Sequence, residues 1–361
     1  MSDTSSERRV APQEFEGTLA AASEAQPQFE EERPSPARRV QRFLHLYPTT
    51  VPFIVLLLGL ALGMSVNFSH FVTGGNISTV LTQVTIVGIL GIGQTLVILT
   101  AGIDLSVSVI MVISSVVMGR LAVIDGVPMW CAFPIGLLTG VGFGALNGFF
   151  VTRMRMPPFI VTLGTLSIID ALNTFYSESE TIRMQDLDAK APFLQLMGVP
   201  FQIGGARIML GSFLLLLLAG VVWYVLTRTA YGRHLYATGD DPEAARLAGI
   251  DTNRVLFSVY VLSGLISAIA GWALIGRIGA ISPTAGANAN LDSITAVVIG
   301  GTSMFGGRGS IVGTLIGALI VGVFRSAVSL AGLDVLWQEF AIGVLIIVAV
   351  ALDQWIRRIS Q

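Results

Sequence analysis

Five stretches of this chain carry no formal charge from end to end: Val51–Met64, Val84–Ala101, Val107–Val117, Leu210–Leu226 and Ile342–Leu352. Nothing else in the sequence constrains the fold as strongly. A helix crossing the hydrocarbon core needs about 20 mostly apolar residues, and the chain has enough such runs for many crossings. Charged residues make up 12% of the 361, against about a quarter in an ordinary soluble domain. Those that remain crowd to one end, with eight acids and six arginines in residues 1–45. The expected fold class is therefore an all-α polytopic membrane protein, with its membrane domain over residues 46–357. Residues 1–45 contain no hydrophobic core and so do not read as a signal peptide. Their Glu, Pro, Ala and Ser content predicts a disordered tail. The one cysteine, Cys131, allows no internal disulfide.

The hydrophobic runs predict ten spans, near 48–66, 79–101, 105–123, 130–151, 158–176, 209–227, 254–276, 291–304, 310–330 and 338–355. Gly300, Gly301, Gly306, Gly307 and Gly309 interrupt the eighth. Arginine and lysine set orientation, because cytoplasmic loops retain them. A cytoplasmic tail puts thirteen basic residues inside, among them Arg153, Arg155, Arg228 and Arg233, and six outside. Both termini are then cytoplasmic, the 177–208 loop lies outside, and the 228–253 segment lies in the cytoplasm. With a net charge of -2 and most of its surface expected to face lipid, the chain gives no sign of a nucleic-acid partner.

Small residues recur every fourth position at Gly140, Gly144 and Gly148 and again at Gly309, Gly313 and Gly317. In lipid this spacing lets helix backbones approach closely, and ordinary packing accounts for it. "QTLVILTAGIDLSVSV" and "VVIGGTSMFGGRGSIVG" each join an apolar run to a Gly-containing break and a new helix, a pattern compatible with internal duplication. Catalytic sets are missing. Lys190 is the only lysine and lies in the outer loop, so no Walker A loop can form. His45, His70 and His234 are far apart, no Cys-rich zinc site is possible, and no Gly-x-Ser-x-Gly elbow occurs. Asp104, Asp170 and Asp292 fall near predicted span ends, where caps and loop anchors are expected rather than a catalytic pair. No ionisable cluster for ion coupling is evident within the spans.

The polar stretch "GDDPEAARLAGI" interrupts this pattern. Asp240 and Asp241 suit an N-cap, Pro242 the first helical position, and Glu243 the positive helix start. Ala244, Ala245, Leu247 and Ala248 form a small apolar surface, and Gly249 suits the C′ stop. So short a helix is unstable alone in water. It must dock, either on the chain's own helix ends or on a soluble partner.

That stretch resembles the Glu-Ala-Ala coupling segment of ABC-transporter permeases. "TLVILTAGIDLSVSVIMV", "NGFFVTRMRMPPFIVTLGTL", "YVLSGLISAIAGW" and "LDSITAVVIGGTSMFGGRGSIVGTLIGALIVG" are similar to the ribose/xylose/fructose-type sugar importer permeases, over about residues 40–357. The fructose-type members look closest. Ser108 departs from the pattern, standing where the family usually has Gly. The resemblance implies a type II ABC-importer-like membrane subunit of an ATP-driven monosaccharide importer in a bacterial inner membrane, itself not an enzyme. It implies a homodimer, a cytoplasmic ATPase that holds ATP and Mg while this chain binds no cofactor, and a periplasmic sugar-binding protein. The coupling contact would fall on Asp241, Pro242, Glu243, Ala244, Ala245, Leu247 and Gly249. A branched-chain amino-acid permease is the alternative, and a stand-alone secondary transporter comes after it.

Other polar residues invite two readings each. Asp104 suits an N-cap for the third span, with Ser106 and Ser108 in its first turn, or a fixed gate element. Pro157 and Pro158 shape the start of the fifth span. Asn147, Thr162, Thr165, Ser167 and Asn173 suit helix–helix hydrogen bonds or an uncharged sugar path. "GGTSMFGGRGS" holds more glycine than packing requires and reads as a break lining the pathway or its mouth, with Phe305 and Arg308 as candidates there. Arg308 suits a lipid phosphate, an acidic side chain or a partner alike.

Overall fold

The computed structural model describes residues 49–286, 288–334, 336–344, 347 and 351. The predicted tail and the end of the tenth span lie outside these residues. The helices run as α1 Thr50–Phe71, α2 Gly74–Leu99, α3 Val107–Gly119, α4 Met129–Thr152, α5 Pro158–Ser177, α6 Met184–Lys190, α7 Leu210–Arg228, α8 Ala230–Asp240, α9 Pro242–Leu247, α10 Thr252–Ile278, α11 Ala289–Ile299 and α12 Ile311–Leu330. A π-helical turn, Arg120–Ile124, extends α3. Among the described residues eight helices are long and apolar enough to cross a membrane. The 177–208 segment holds α6, a 3₁₀ turn at Pro192–Gly198, and a hairpin of β1 Pro200–Ile203 and β2 Ala206–Met209. Gly204 and Gly205 at its tip have φ of +57° and +83°, the double positive-φ turn that suits a two-residue hairpin loop.

Each helix's surroundings follow from its side chains. Every residue of α2 from Val84 to Leu99 is buried, so α2 forms the centre of the bundle. By contrast α1 exposes Phe53, Ile54, Leu57, Leu58 and Leu62, an apolar face suited to lipid. The glycine repeat of α4 meets α10. A methyl group on Gly140 would strike the Gly264 carbonyl, and one on Gly144 would strike the Tyr260 carbonyl. In the same way Gly313 sits against the Gly300 carbonyl and Gly317 against the Ala296 carbonyl, locking α12 onto α11.

The eighth predicted span is not a full crossing. The α11 helix has 11 residues and so about 16 Å of length, roughly half the hydrocarbon thickness. It stops at Ile299 because Gly301 turns to φ +87°. There the Gly301 N–H bonds the Val298 carbonyl at 3.0 Å and the Thr302 N–H bonds Val297 at 3.2 Å. The end of α2 repeats this arrangement. Ala101, at φ +58°, bonds Ile98 at 2.9 Å, and Gly102 bonds Val97 at 3.0 Å. The two breaks that look alike in sequence thus share one C-terminal backbone motif.

Candidate functional site

The polar stretch folds as two helices rather than one. Asp240 ends α8, and the N-cap of α9 is Asp241 alone, whose Oδ1 accepts from the Glu243 and Ala244 N–H groups at 2.9 and 3.0 Å. At the other end Gly249, at φ +85°, donates to the Arg246 carbonyl at 2.9 Å, and Ile250 donates to Ala245 at 3.0 Å. That pair of bonds is a Schellman motif. Arg246 Nε ties the segment to Thr252 Oγ1 at 2.8 Å. The small apolar surface expected here is split between two sides. Ala245 is buried against the chain's own body at 3% exposure, while Leu247 stands out at 92%. Pro242, Glu243, Ala244, Ala248 and Gly249 are exposed as well.

Beneath α9, α8 is anchored to the bundle. The Tyr231 and Ser258 hydroxyls share a 2.8 Å hydrogen bond, and the Tyr236 hydroxyl donates to the Gly309 carbonyl at 2.8 Å. Burial pushes both phenols above their ordinary range, which keeps them protonated as donors. Three pieces of backbone then converge. Gly239 lies against the Leu99 carbonyl, Gly306 against the Gly239 carbonyl and Ala101, and Gly307 against Asp240. The Gly307 N–H also donates to the Leu99 carbonyl at 2.9 Å. These contacts correct the expectation that "GGTSMFGGRGS" holds glycine beyond packing need. Gly300, Gly306, Gly307 and Gly309 each face neighbouring atoms where a side chain would collide. Phe305 is exposed, and the Arg308 carbonyl accepts from Ser303 N–H at 2.9 Å within this loop.

From Leu99 the chain turns back into the bundle, and here the structure brings most of the gate candidates together. Asp104 is fully buried, two residues ahead of the actual N-cap, Ser106, whose side chain caps nothing. Instead Asp104 Oδ1 accepts from the Ser106 N–H at 2.9 Å and from its hydroxyl at 2.6 Å. Asn147 Nδ2 donates to Ser106 Oγ at 2.8 Å, and Thr162 Oγ1 to the Ile103 carbonyl at 3.1 Å. Gln94 Nε2 donates to the Asp104 carbonyl at 2.6 Å and Asn290 Nδ2 to that of Leu105 at 3.2 Å. The break between α2 and α3 is thereby held by α2, α4, α5 and α11 at once. Thr165 is buried nearby on α5, bonded within its own helix, and Asn173 donates to the Pro283 carbonyl at 2.9 Å. Asp104 Oδ2, Gln94 Oε1, Asn147 Oδ1 and the Tyr260 hydroxyl are enclosed without a protein partner, so this cluster still has hydrogen-bonding capacity to offer. Among the described residues no three His, Cys, Asp or Glu side chains gather to hold a metal ion.

Residues 76–350 match the family model described as branched-chain amino acid transport system / permease component. The chain belongs to that permease family. It is 53% identical to the fructose import permease protein of Rhizobium meliloti over 96% of this chain and 97% of that one. It is 38% identical to the ribose import permease protein of Bacillus subtilis (84% and 92%) and 33% identical to the xylose transport system permease protein of Escherichia coli (80% and 87%). No solved structure matches. The permease is a multi-pass membrane protein and a transport component rather than an enzyme.

Sequence reasoning missed one group of residues in this permease. Asp292, expected as a loop anchor near a span end, is buried in the first turn of α11 and accepts from Arg325 Nη2 of α12 at 2.8 Å. Arg325 also lies 3.7 Å from Glu339. Among the described residues these three side chains form a charged cluster near the ends of α11 and α12, which the expectation of no ion-coupling set at mid-membrane did not address. Asp292 and Arg325 lie 33 positions apart and Arg325 and Glu339 fall on different segments, so no local spacing announces the cluster. The one available signal was the presence of single charges inside otherwise apolar runs, which marks function or pairing.

Proposed function

We propose that this permease is the membrane subunit of an ATP-driven importer for a monosaccharide of the fructose class. The observation that carries the reading is 53% identity to a fructose import permease across nearly the full length of both chains. In this reading the protein works as a homodimer in a bacterial inner membrane, with both termini in the cytoplasm. A soluble ATPase docks on α9, and a periplasmic sugar-binding protein docks on the opposite face around the 177–208 segment. Leu247, exposed at 92% on a short capped helix, is the anchor offered to the ATPase. The contacts of α8 with Leu99 and the 300–309 loop, which itself packs on Ala101, carry its movement to the Asp104 cluster. Asp104, Ser106, Asn147, Thr162 and Thr165 hold the gate, and Phe305 and Arg308 border its cytoplasmic mouth.

The test is ATP-dependent uptake by membrane vesicles containing the permease, its ATPase and its binding protein, with fructose, ribose, xylose and leucine as competitors. Fructose should compete best. Strong competition by leucine and none by any sugar would favour the amino-acid reading that the family's description suggests.

A further inference from the structure

Helix α10 starts beside the coupling segment and has 27 residues, so its far end lies about 40 Å away. A cavity of about 270 Å³ opens there among α2, α10, α11 and α12. Its polar wall consists of Gln83, Arg277, Asn288, Asp292, Arg325 and Glu339. Two arginines face two carboxylates, so the charges balance within the wall. Most of them are also committed to one another. Arg325 Nη2 bonds Asp292 Oδ1 at 2.8 Å and lies 3.7 Å from Glu339, which accepts from Asn288 Nδ2 at 3.3 Å. Arg277 and Gln83 line the cavity with no ion pair or side-chain hydrogen bond of their own among the described residues. The guanidinium donates, and the amide both donates and accepts.

A hydroxyl group does both at once. An uncharged ring carrying several hydroxyls can use the donors and acceptors of this wall and adds no charge to a balanced set. The volume lies at the small end of ligand sites, which begin at about 300 Å³, and suits one sugar ring better than two. We infer that this cavity is a monosaccharide site built within a single subunit, with Gln83 and Arg277 recognising the hydroxyls. The inference rests on the sugar reading above and adds to it the residues that meet the cargo. Helix α11 then links the two ends of the permease. It begins at this cavity with Ala289 and Asp292 and ends at the glycine loop against which α8 is seated.

The test uses vesicles holding the complete importer, given labelled fructose and a panel of monodeoxyfructoses. Gln83→Leu removes both amide atoms while keeping a side chain of similar size. Ala285→Phe fills the cavity from a turn and leaves the charged residues themselves unaltered. At equal membrane abundance and equal ATPase retention, Gln83→Leu should lower fructose uptake about 10-fold, the loss of one hydrogen-bond partner. It should also narrow the gap between fructose and at least one deoxy analogue, whereas a merely structural role would lower every sugar by one factor. Ala285→Phe should lower uptake of all the sugars by about 10-fold or more, because overfilling a close-fitting site is costly. Wild-type fructose uptake in both variants, or an equal effect of Gln83→Leu on every analogue, would overturn the site while leaving the sugar reading intact. Absence of sugar uptake by the unaltered importer would overturn that reading, and this site with it.

Discussion

Ala245 and Leu247 are two positions apart and face opposite surroundings, one buried in the permease and the other exposed at 92%. Their substitutions should therefore separate. Ala245→Leu overpacks a filled contact, which costs about 1–3 kcal/mol, and should lower the melting temperature of the permease purified alone. Leu247→Ser touches nothing in the isolated chain, so its effect on that melting temperature should stay within about 0.5 kcal/mol. Fully burying a leucine is worth about 1.5–3 kcal/mol, so the same change should weaken ATPase retention on co-purification roughly 10- to 150-fold. Equal melting losses in the two variants would show that Leu247 has a contact within the chain. Gly249 stands apart from both. A Cβ there would meet nothing within 4 Å, yet φ is +85°. Gly249→Leu should cost about 1–2 kcal/mol through backbone conformation alone, read as roughly 5- to 30-fold weaker ATPase retention. Unchanged retention would mean that the Schellman turn has no part in docking.

Among the elements, what was legible in the sequence was local. Asp241, Pro242 and Gly249 announce the short helix because capping acts within a turn of the residue concerned. The Pro157–Pro158 pair likewise marks the start of α5, where Pro158 is the first residue. The four-residue glycine spacing of α4 predicted close packing, but only the fold names α10 as its partner. The packing need for Gly306 and Gly307 was not legible, because the surfaces they fit, at Leu99 and Gly239, are distant in the chain. The same distance hid the Asp292–Arg325–Glu339 cluster. Packing at α4 can be tested directly. Gly144→Val would drive a side chain into the Tyr260 carbonyl and the Gly264 Cα and should destabilise the permease by about 1–3 kcal/mol or more. On the same helix Gly142 has nothing within 4 Å, so Gly142→Val should leave the melting temperature close to wild type. Equal losses in both variants would point to a helix-wide effect of valine rather than to the α4–α10 contact.

Across the whole molecule, one continuous path of backbone contacts runs from the exposed end to the buried one. It passes from α9 through α8 to Leu99 and the glycine loop, then into the break that contains Asp104 and Ser106 and is held by Asn147 and Thr162, and along α11 to Asp292. The account's central claim is that ATP-driven movement of α9 reaches the pathway through this seat. Tyr236→Phe tests it with little risk to folding, since it removes one hydroxyl and leaves the Gly309 carbonyl to find another donor, a loss of about 1–3 kcal/mol. Gly239→Ala is the stronger version, because the added methyl would meet the Leu99 carbonyl. The deciding measurement is sugar uptake per ATP hydrolysed, in vesicles matched for permease and ATPase content. The account predicts near-normal hydrolysis with uptake per ATP reduced several-fold in Tyr236→Phe and further in Gly239→Ala. Uptake per ATP equal to wild type in both variants would contradict it.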